Sequence, residues 1–216
     1  MKQIKRRLLE GILGASLAVF SAGAIKGLEY FADETQAGEV KVEKEENKEL
    51  KEMIIRHEGK REWVYDDATG NRLKEGDVAK GNRTIGVGFN LDRDGAQEII
   101  ASSGLDYNAL YNGEECLSDS KINDLLEEDI NSAARNAKNY IGETYFESLP
   151  SKAKNILINM SFNLGPTRLG KFKRLRTALQ KRTYNAAADE MKNSRWYTQT
   201  GNRARELTNA MRALDN

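Results

Sequence analysis

Histidine and cysteine are almost missing from these 216 residues: the chain has one of each, His57 and Cys116. A single cysteine excludes an internal disulfide, and it says nothing of compartment, because a chain that needs no disulfide can reside anywhere. With one histidine there is no His/Cys/Asp cluster at metal-ligand spacing and no Ser/His/Asp set, so neither a metal nor any other cofactor is expected. A phosphate loop of the form G-x-x-x-x-G-K-S/T is absent too. So is an apolar run long enough to cross a bilayer. The nearest approach, Gly11 to Ile25, has 15 residues. As a helix it covers about 22 Å of a hydrocarbon core ~30 Å thick.

What is present in quantity is charge, at 31% of residues against 39% hydrophobic, the balance of a folded soluble domain. The net charge of +1 hides an uneven distribution. Residues 33–52 carry eight acids and four lysines, residues 53–167 carry 19 acids and 13 bases, and residues 168–212 carry 12 bases and three acids. A basic C-terminal third suits a polyanionic partner, either nucleic acid or an acidic polymer such as a bacterial wall.

The chain reads as three parts. Residues 1–32 open with MKQIKRR and pass into the short apolar run, which ends in Ala22-Gly23-Ala24. A cleaved export signal, a weak and releasable signal anchor, and an ordinary amphipathic helix all fit. Residues 33–49 have almost no apolar side chains and read as a charged linker. Residues 50–216 form the domain. There, Leu50, Met53, Ile54 and His57 fall at helical spacing, with Gly59 as a C-terminal cap. Trp63 to Leu91 is short, glycine-rich and alternating, which predicts a small antiparallel sheet. Ser118 or Asp119 caps a helix carrying Ile122, Leu125, Leu126, Ile130, Ala133, Ala134 and Ala137. Pro150 starts another through Ala153, Ile156, Leu157, Met160 and Leu164. Two or three more follow. The expected class is α+β, a small sheet lobe beside a larger helical lobe, with a cleft between them suited to a long substrate.

Within RHEGKREWVYDD (56–67), Glu58 stands nine positions ahead of Asp67, and TIGVG begins 17 residues beyond that. This resembles the Glu…Asp…Thr-Ile-Gly-x-Gly signature of phage-type lysozymes, glycoside hydrolase family 24. ILINMSFNLG (156–165) and SRWYTQTGNRA (194–204) are similar to helical-lobe motifs of the T-even coliphage branch of that family. The resemblance runs from about residue 50 to residue 214. It implies a muramidase that cuts the β-1,4 bond between N-acetylmuramic acid and N-acetylglucosamine. By position it implies Glu58 as general acid, Asp67 as the second carboxylate and Thr84 as the hydroxyl that helps hold water. It further implies Arg203 as the partner of Glu58, with Phe162, Asn163 and Trp196 lining the cleft. Peptidoglycan is then the expected partner, nucleic acid is not, and the N-terminal segment is a candidate membrane contact. A monomer exported to the periplasm or wall of a bacterial host, acting as an endolysin, is the expected setting.

Other readings stay open at the residue level. Gly86 and Gly88 bring backbone close to a polymer, or mark a bulge in a small sheet. Trp196 and Tyr197 stack on sugars, or pack in the core. Arg168, Lys171, Lys173, Arg174 and Arg176 form a solvated helix face, or a patch for an acidic wall. His57 is a helix-end residue or, less fittingly, a base. The stretch ATGNRLKEGDVAKGNR between Asp67 and Thr84 is longer than in the T-even branch, as a hairpin or a substrate-specific lip. Phe89 stands where that branch has a histidine, so an ion pair made there is expected to be missing. Gly201 replaces a proline within QTxNRA, a minor backbone change. A lytic transglycosylase on the same bond and a non-catalytic wall-binding module are the alternative functions.

Overall fold

The computed structural model describes residues 47–215. The signal or anchor segment and nearly all of the charged linker therefore lie outside the described residues. Helix α1 (47–58) buries Leu50 and Ile54, one turn apart on the same face. It stops at Gly59, whose φ of 78° places it in the left-handed region while its N–H bonds Ile55 O at 2.8 Å. A residue without Cβ ends a helix this way at little cost.

Three strands follow in antiparallel order: β1 (Arg61–Asp66), β2 (Arg83–Gly86) and β3 (Phe89–Asn90). Tyr65 pairs with Thr84, Asp66 with Arg83, and Ile85 with Phe89. The turn from β2 to β3 is Gly86-Val87-Gly88, with φ of 67° and 77° at its glycines. Val64, Ile85, Val87 and Phe89 are buried against the helices.

The helical part begins with two short helices that the sequence did not single out, α2 (Ala96–Ser102) and α3 (Tyr107–Tyr111). Seven and five residues are too few for a 3.6-residue period to stand out. Helix α4 (Asp119–Ile141) starts at Ser118, whose hydroxyl accepts from the Lys121 N–H, and it buries Ile122, Leu125, Leu126, Ala133 and Ala137. Ile130 and Ala134 are only partly buried, at the margin of that stripe. After α5 (Glu143–Glu147), helix α6 (Ser151–Leu169) packs along α4. Pro150 is its cap, and Ala153, Ile156, Leu157 and Met160 are buried as the spacing predicts. Gly165 leaves helical geometry at φ 69° and ψ 169°, just before Pro166. Proline cannot donate to the preceding turn, so the segment is two helices joined at that point. Helices α7 (Lys173–Gln180), α8 (Tyr184–Lys192), α9 (Arg195–Thr200) and α10 (Asn202–Arg212) complete the bundle, with a last 3-10 turn at Ala213–Asp215. The α+β architecture is thus a small meander sheet against a helical body. Among the described residues no helix is long and apolar enough to cross a membrane.

Candidate active site

Glu58 occupies the last turn of α1, with a quarter of its side chain exposed. One of its oxygens accepts a hydrogen bond from Arg203 Nη1, which arrives from the first turn of α10. The Arg203 side chain is only 5% exposed. Its Nε donates to Asn159 Oδ1 at 2.7 Å and its Nη2 to Asn159 O at 3.2 Å. Burial pushes the guanidinium below its ordinary value while the Glu58 charge opposes that shift. Asn159 is fully buried in α6. Three separate helices therefore meet in one chain of hydrogen bonds ending at the Glu58 carboxylate. On its other side stands Gly88. A Cβ built there would lie 3.5 Å from Glu58 Oε2. The positive φ favours glycine at this turn, and the carboxylate lies in ordinary contact with it.

One step along α1, His57 Nε2 bonds Glu206 Oε2 at 2.9 Å, and Arg56 binds the same carboxylate. Burial works to raise the Glu206 carboxyl, but the His57 hydrogen bond and the Arg56 charge outweigh it and hold the group below the usual range. His57 thus ties α1 to α10 next to the Glu58–Arg203 pair, the helix-end role rather than that of a base.

The second carboxylate has different supports. Asp67 is exposed just past β1 and takes two bonds from one residue, Asn82 N–H at 2.7 Å and Asn82 Nδ2 at 2.8 Å. Its neighbour Asp66 is buried and accepts from three backbone N–H groups, those of Ala68, Lys80 and Gly81, at 2.9 to 3.0 Å. The Lys80 bond above all, then the Gly81 and Ala68 bonds, against the pull of burial, bring its carboxyl down to about 2. The extra segment between Asp67 and Thr84 is accordingly folded back and stapled at its root. It returns beside β1 through a bridge from Tyr65 to Arg72 and turns again where Lys74 N–H meets Asp77 Oδ2 at 2.9 Å. At its far end Val78 is 89% exposed.

Thr84 is buried on β2. Strand alternation and the register put it on the same sheet face as Tyr65 and the Asn82–Asp67 pair. Tyr65 lies under Arg61, whose guanidinium is 3.9 Å from the ring centroid. Burial raises the Tyr65 phenol, Arg61 opposes, and the charges of Glu58 and Asp67 both push it further up. This one side chain therefore feels both carboxylates.

Among the residues expected to line the cleft, Phe162 and Asn163 are half-buried on α6. Trp196 is 5% exposed, edge-on to Phe172 with ring centroids 6.3 Å apart, and its Nε1 donates to Asn163 Oδ1 at 2.8 Å. It fixes Asn163 and offers no open face. At Phe89, where an ion pair was expected to be missing, Arg93 lies 4.0 Å over the ring and binds Asp129 at 2.7 Å. Arg93 thus covers the ring and pairs with an acid of α4. Burial raises the Asp129 carboxyl and Arg93 opposes it.

A depression of about 180 Å³ begins beside Gly88 and runs between α4 and α6 past Phe162. A larger one, about 560 Å³, lies on the helical body around Trp196, rimmed by Arg168, Lys171, Lys173, Arg174 and Arg195. Arg176 turns away instead, to lie 4.9 Å over the Tyr140 ring. Among the described residues no group of three or more His, Cys, Asp and Glu side chains could hold a metal ion.

Asp66, Asn159, Asn82, Tyr65 and Glu206 were not identified from sequence. Only Asp66 left a signal, its place beside Asp67 in YDD, and the signature spacing passed it over.

An antiparallel meander against helices, with a glutamate at a helix end bound by a buried arginine, defines a lysozyme-like enzyme. The profile of the phage lysozyme family matches residues 56–213. Probable T4-type lysozyme 2 of Dictyostelium discoideum is 30% identical over 165 residues, which cover 73% of this chain and 90% of that protein. Probable T4-type lysozyme 1 of the same organism is 26% identical over 169 residues, with the same coverage. The chain belongs to the phage lysozyme family, and it is a glycoside hydrolase of the lysozyme type, with peptidoglycan as the substrate the family implies.

Proposed function

We propose that this enzyme hydrolyses the β-1,4 bond between N-acetylmuramic acid and N-acetylglucosamine with Glu58 as general acid. The observation that carries this reading is the setting of Glu58: a buried, doubly anchored arginine on one side and the side-chain-free Gly88 on the other. Arg203 aims the carboxyl at the space over Gly88. A sugar entering there displaces water, and loss of solvent disfavours the bare carboxylate and favours the form that donates to the leaving oxygen. Asp67, with Thr84 on the same sheet face, orients and activates the attacking water.

In this reading the protein is an exported monomeric endolysin that lyses its bacterial host, with residues 1–32 as export signal or releasable anchor and residues 33–49 as tether. The basic rim around Trp196 faces the acidic polymers of the wall. The test is a digest of purified peptidoglycan with the full chain and with Glu58→Gln, products read by mass spectrometry. Reducing-end muropeptides from the wild type, lowered at least a hundredfold in the variant, are expected. Anhydro-sugar ends would indicate a transglycosylase instead, and intact wall with retained protein would indicate a binding module.

A further inference from the structure

Glu206 lies three positions after Arg203 on α10, so the two side chains share one face of that helix. That face meets the last turn of α1, where Arg56, His57 and Glu58 stand in succession. The two helices exchange bridges of opposite sense. Glu58, the acid of α1, takes its bond from Arg203, and two bases of α1, Arg56 and His57, reach Glu206. Successive helical residues point about 100° apart. Bridges from both His57 and Glu58 therefore hold the rotation of α1 as well as its distance, where one bridge alone would act as a pivot.

The two legs on Glu206 are unequal. The Arg56 side chain is more than half exposed, and a bridge in water contributes little. The His57 side chain is only 8% exposed, with Nε2 at 2.9 Å from Glu206 Oε2. A carboxylate accepts and does not donate, so Nε2 carries the proton. Nδ1 is buried and has no partner among the described residues. That orphaned nitrogen is a cost that simply ending a helix does not require, and the bond to Glu206 offsets it. The same bond helps to hold the Glu206 carboxyl below its usual range against the pull of burial.

We infer that His57 and Glu206 are a positioning pair for Glu58, holding the last turn of α1 at the rotation that keeps its carboxyl against Arg203 and over Gly88. The inference rests on the reading of Glu58 as general acid. Neither residue lines the depression beside Gly88, so the pair acts on turnover through Glu58 and not by contact with sugar. A small rotation of α1 suffices, because a misplacement of about 1 Å at a reacting group costs up to ~100-fold in rate.

The test measures kcat and KM of the full chain on purified peptidoglycan, well below the melting transition, for Glu206→Ala, His57→Ala, the double variant, Glu206→Gln and Arg56→Ala. Each single alanine variant of the pair is expected to lower kcat roughly tenfold with KM unchanged. The double variant falls no further, since either change breaks the same bridge. Glu206→Gln still accepts from His57 and returns kcat to within about threefold of wild type. Arg56→Ala stays within about twofold. A lower melting temperature at unchanged kcat, a rise in KM in place of the fall in kcat, or losses that multiply in the double variant would each overturn the inference. If Glu206→Ala does not fold, His57→Phe, which keeps a ring but cannot donate, carries the same expectation. If the wild type releases no fragments, it is the muramidase reading that fails. Hydrogen exchange at the Gly59 N–H, bonded to Ile55 O in the last turn of α1, then still decides the pair. Exchange about tenfold faster in Glu206→Ala than in wild type, with the α4 amides unchanged, is expected, and equal exchange would overturn it.

Discussion

The two walls of the site are built by different physics. On the helical wall, Glu58 is held through Arg203 and Asn159 by side chains that the apolar body has enclosed. On the sheet wall, Asp67 is exposed and held by Asn82, within a loop that Asp66 staples through backbone N–H groups. Moving the first carboxylate means moving three helices, whereas the second moves with a turn. This contrast explains how the chain tolerates a long segment between Asp67 and Thr84. The extra residues load the wall that local hydrogen bonds define and leave the buried pair alone.

If this contrast is right, changes on the helical wall cost stability and activity together, and changes on the sheet wall separate the two. Arg203→Ala should have the largest effect. It leaves the Glu58 carboxylate and Asn159 without their partner, at a cost of about 3 kcal/mol and, for a domain this size, a melting temperature lower by roughly 6–12 °C. Calorimetry showing no change would remove the anchor from the account. Next is Gly88→Ala. Gly88 lies in the β2–β3 turn but faces Glu58 of the helical wall and so belongs with it; the variant puts a side chain at φ 77°. About 1–2 kcal/mol of backbone strain is expected, visible as a lower urea midpoint at unchanged slope, together with reduced turnover.

Asn82→Ala should break the comparison open from the other side. It frees Asp67 Oδ2 on an exposed loop and leaves only the backbone N–H on Oδ1, so kcat should fall several-fold, up to roughly tenfold, through lost positioning while the melting temperature stays put. A parallel drop in both would mean that the sheet wall is as integrated as the helical one. The smallest effect is expected in the acid limb of stability. The Asp66 carboxyl is depressed to about 2 in the folded state, below the unfolded value of about 3.9. It therefore contributes stability above pH ~4 that is lost as pH falls toward ~2. Asp66→Asn lacks this dependence, and its melting temperature should decline less steeply than that of wild type from pH 5 to 2.5.

Sequence spacing located the helices that carry long apolar stripes, α1, α4 and α6, because burying one face demands a 3.6-residue period. It missed the short helices α2, α3, α5 and α9, and it did not mark the break at Gly165, where a glycine and a proline interrupt a helix whose stripe continues up to them. At the site, Glu58, Asp67, Thr84 and Arg203 stood out through ordered motifs far apart in the chain. Their supports did not. Asn159 lies in a run of apolar residues and looks like a tolerated core amide until Arg203 is seen against it. Trp196 shows the reverse: its aromatic ring suggests a sugar platform, and packing against Phe172 has closed it off.

By itself the sequence determined the α+β class and the family, and it marked the carboxylates proposed for the acid chemistry. Each depends on residue types and periodicities carried along the chain. Only the tertiary structure decided which of two adjacent aspartates staples a loop and which stays open to water. It also decided that Gly88 stands against the Glu58 carboxylate. Burial and pairing arise between residues as distant as 58 and 203, and the hydrogen bonds between them form only once the helices have packed.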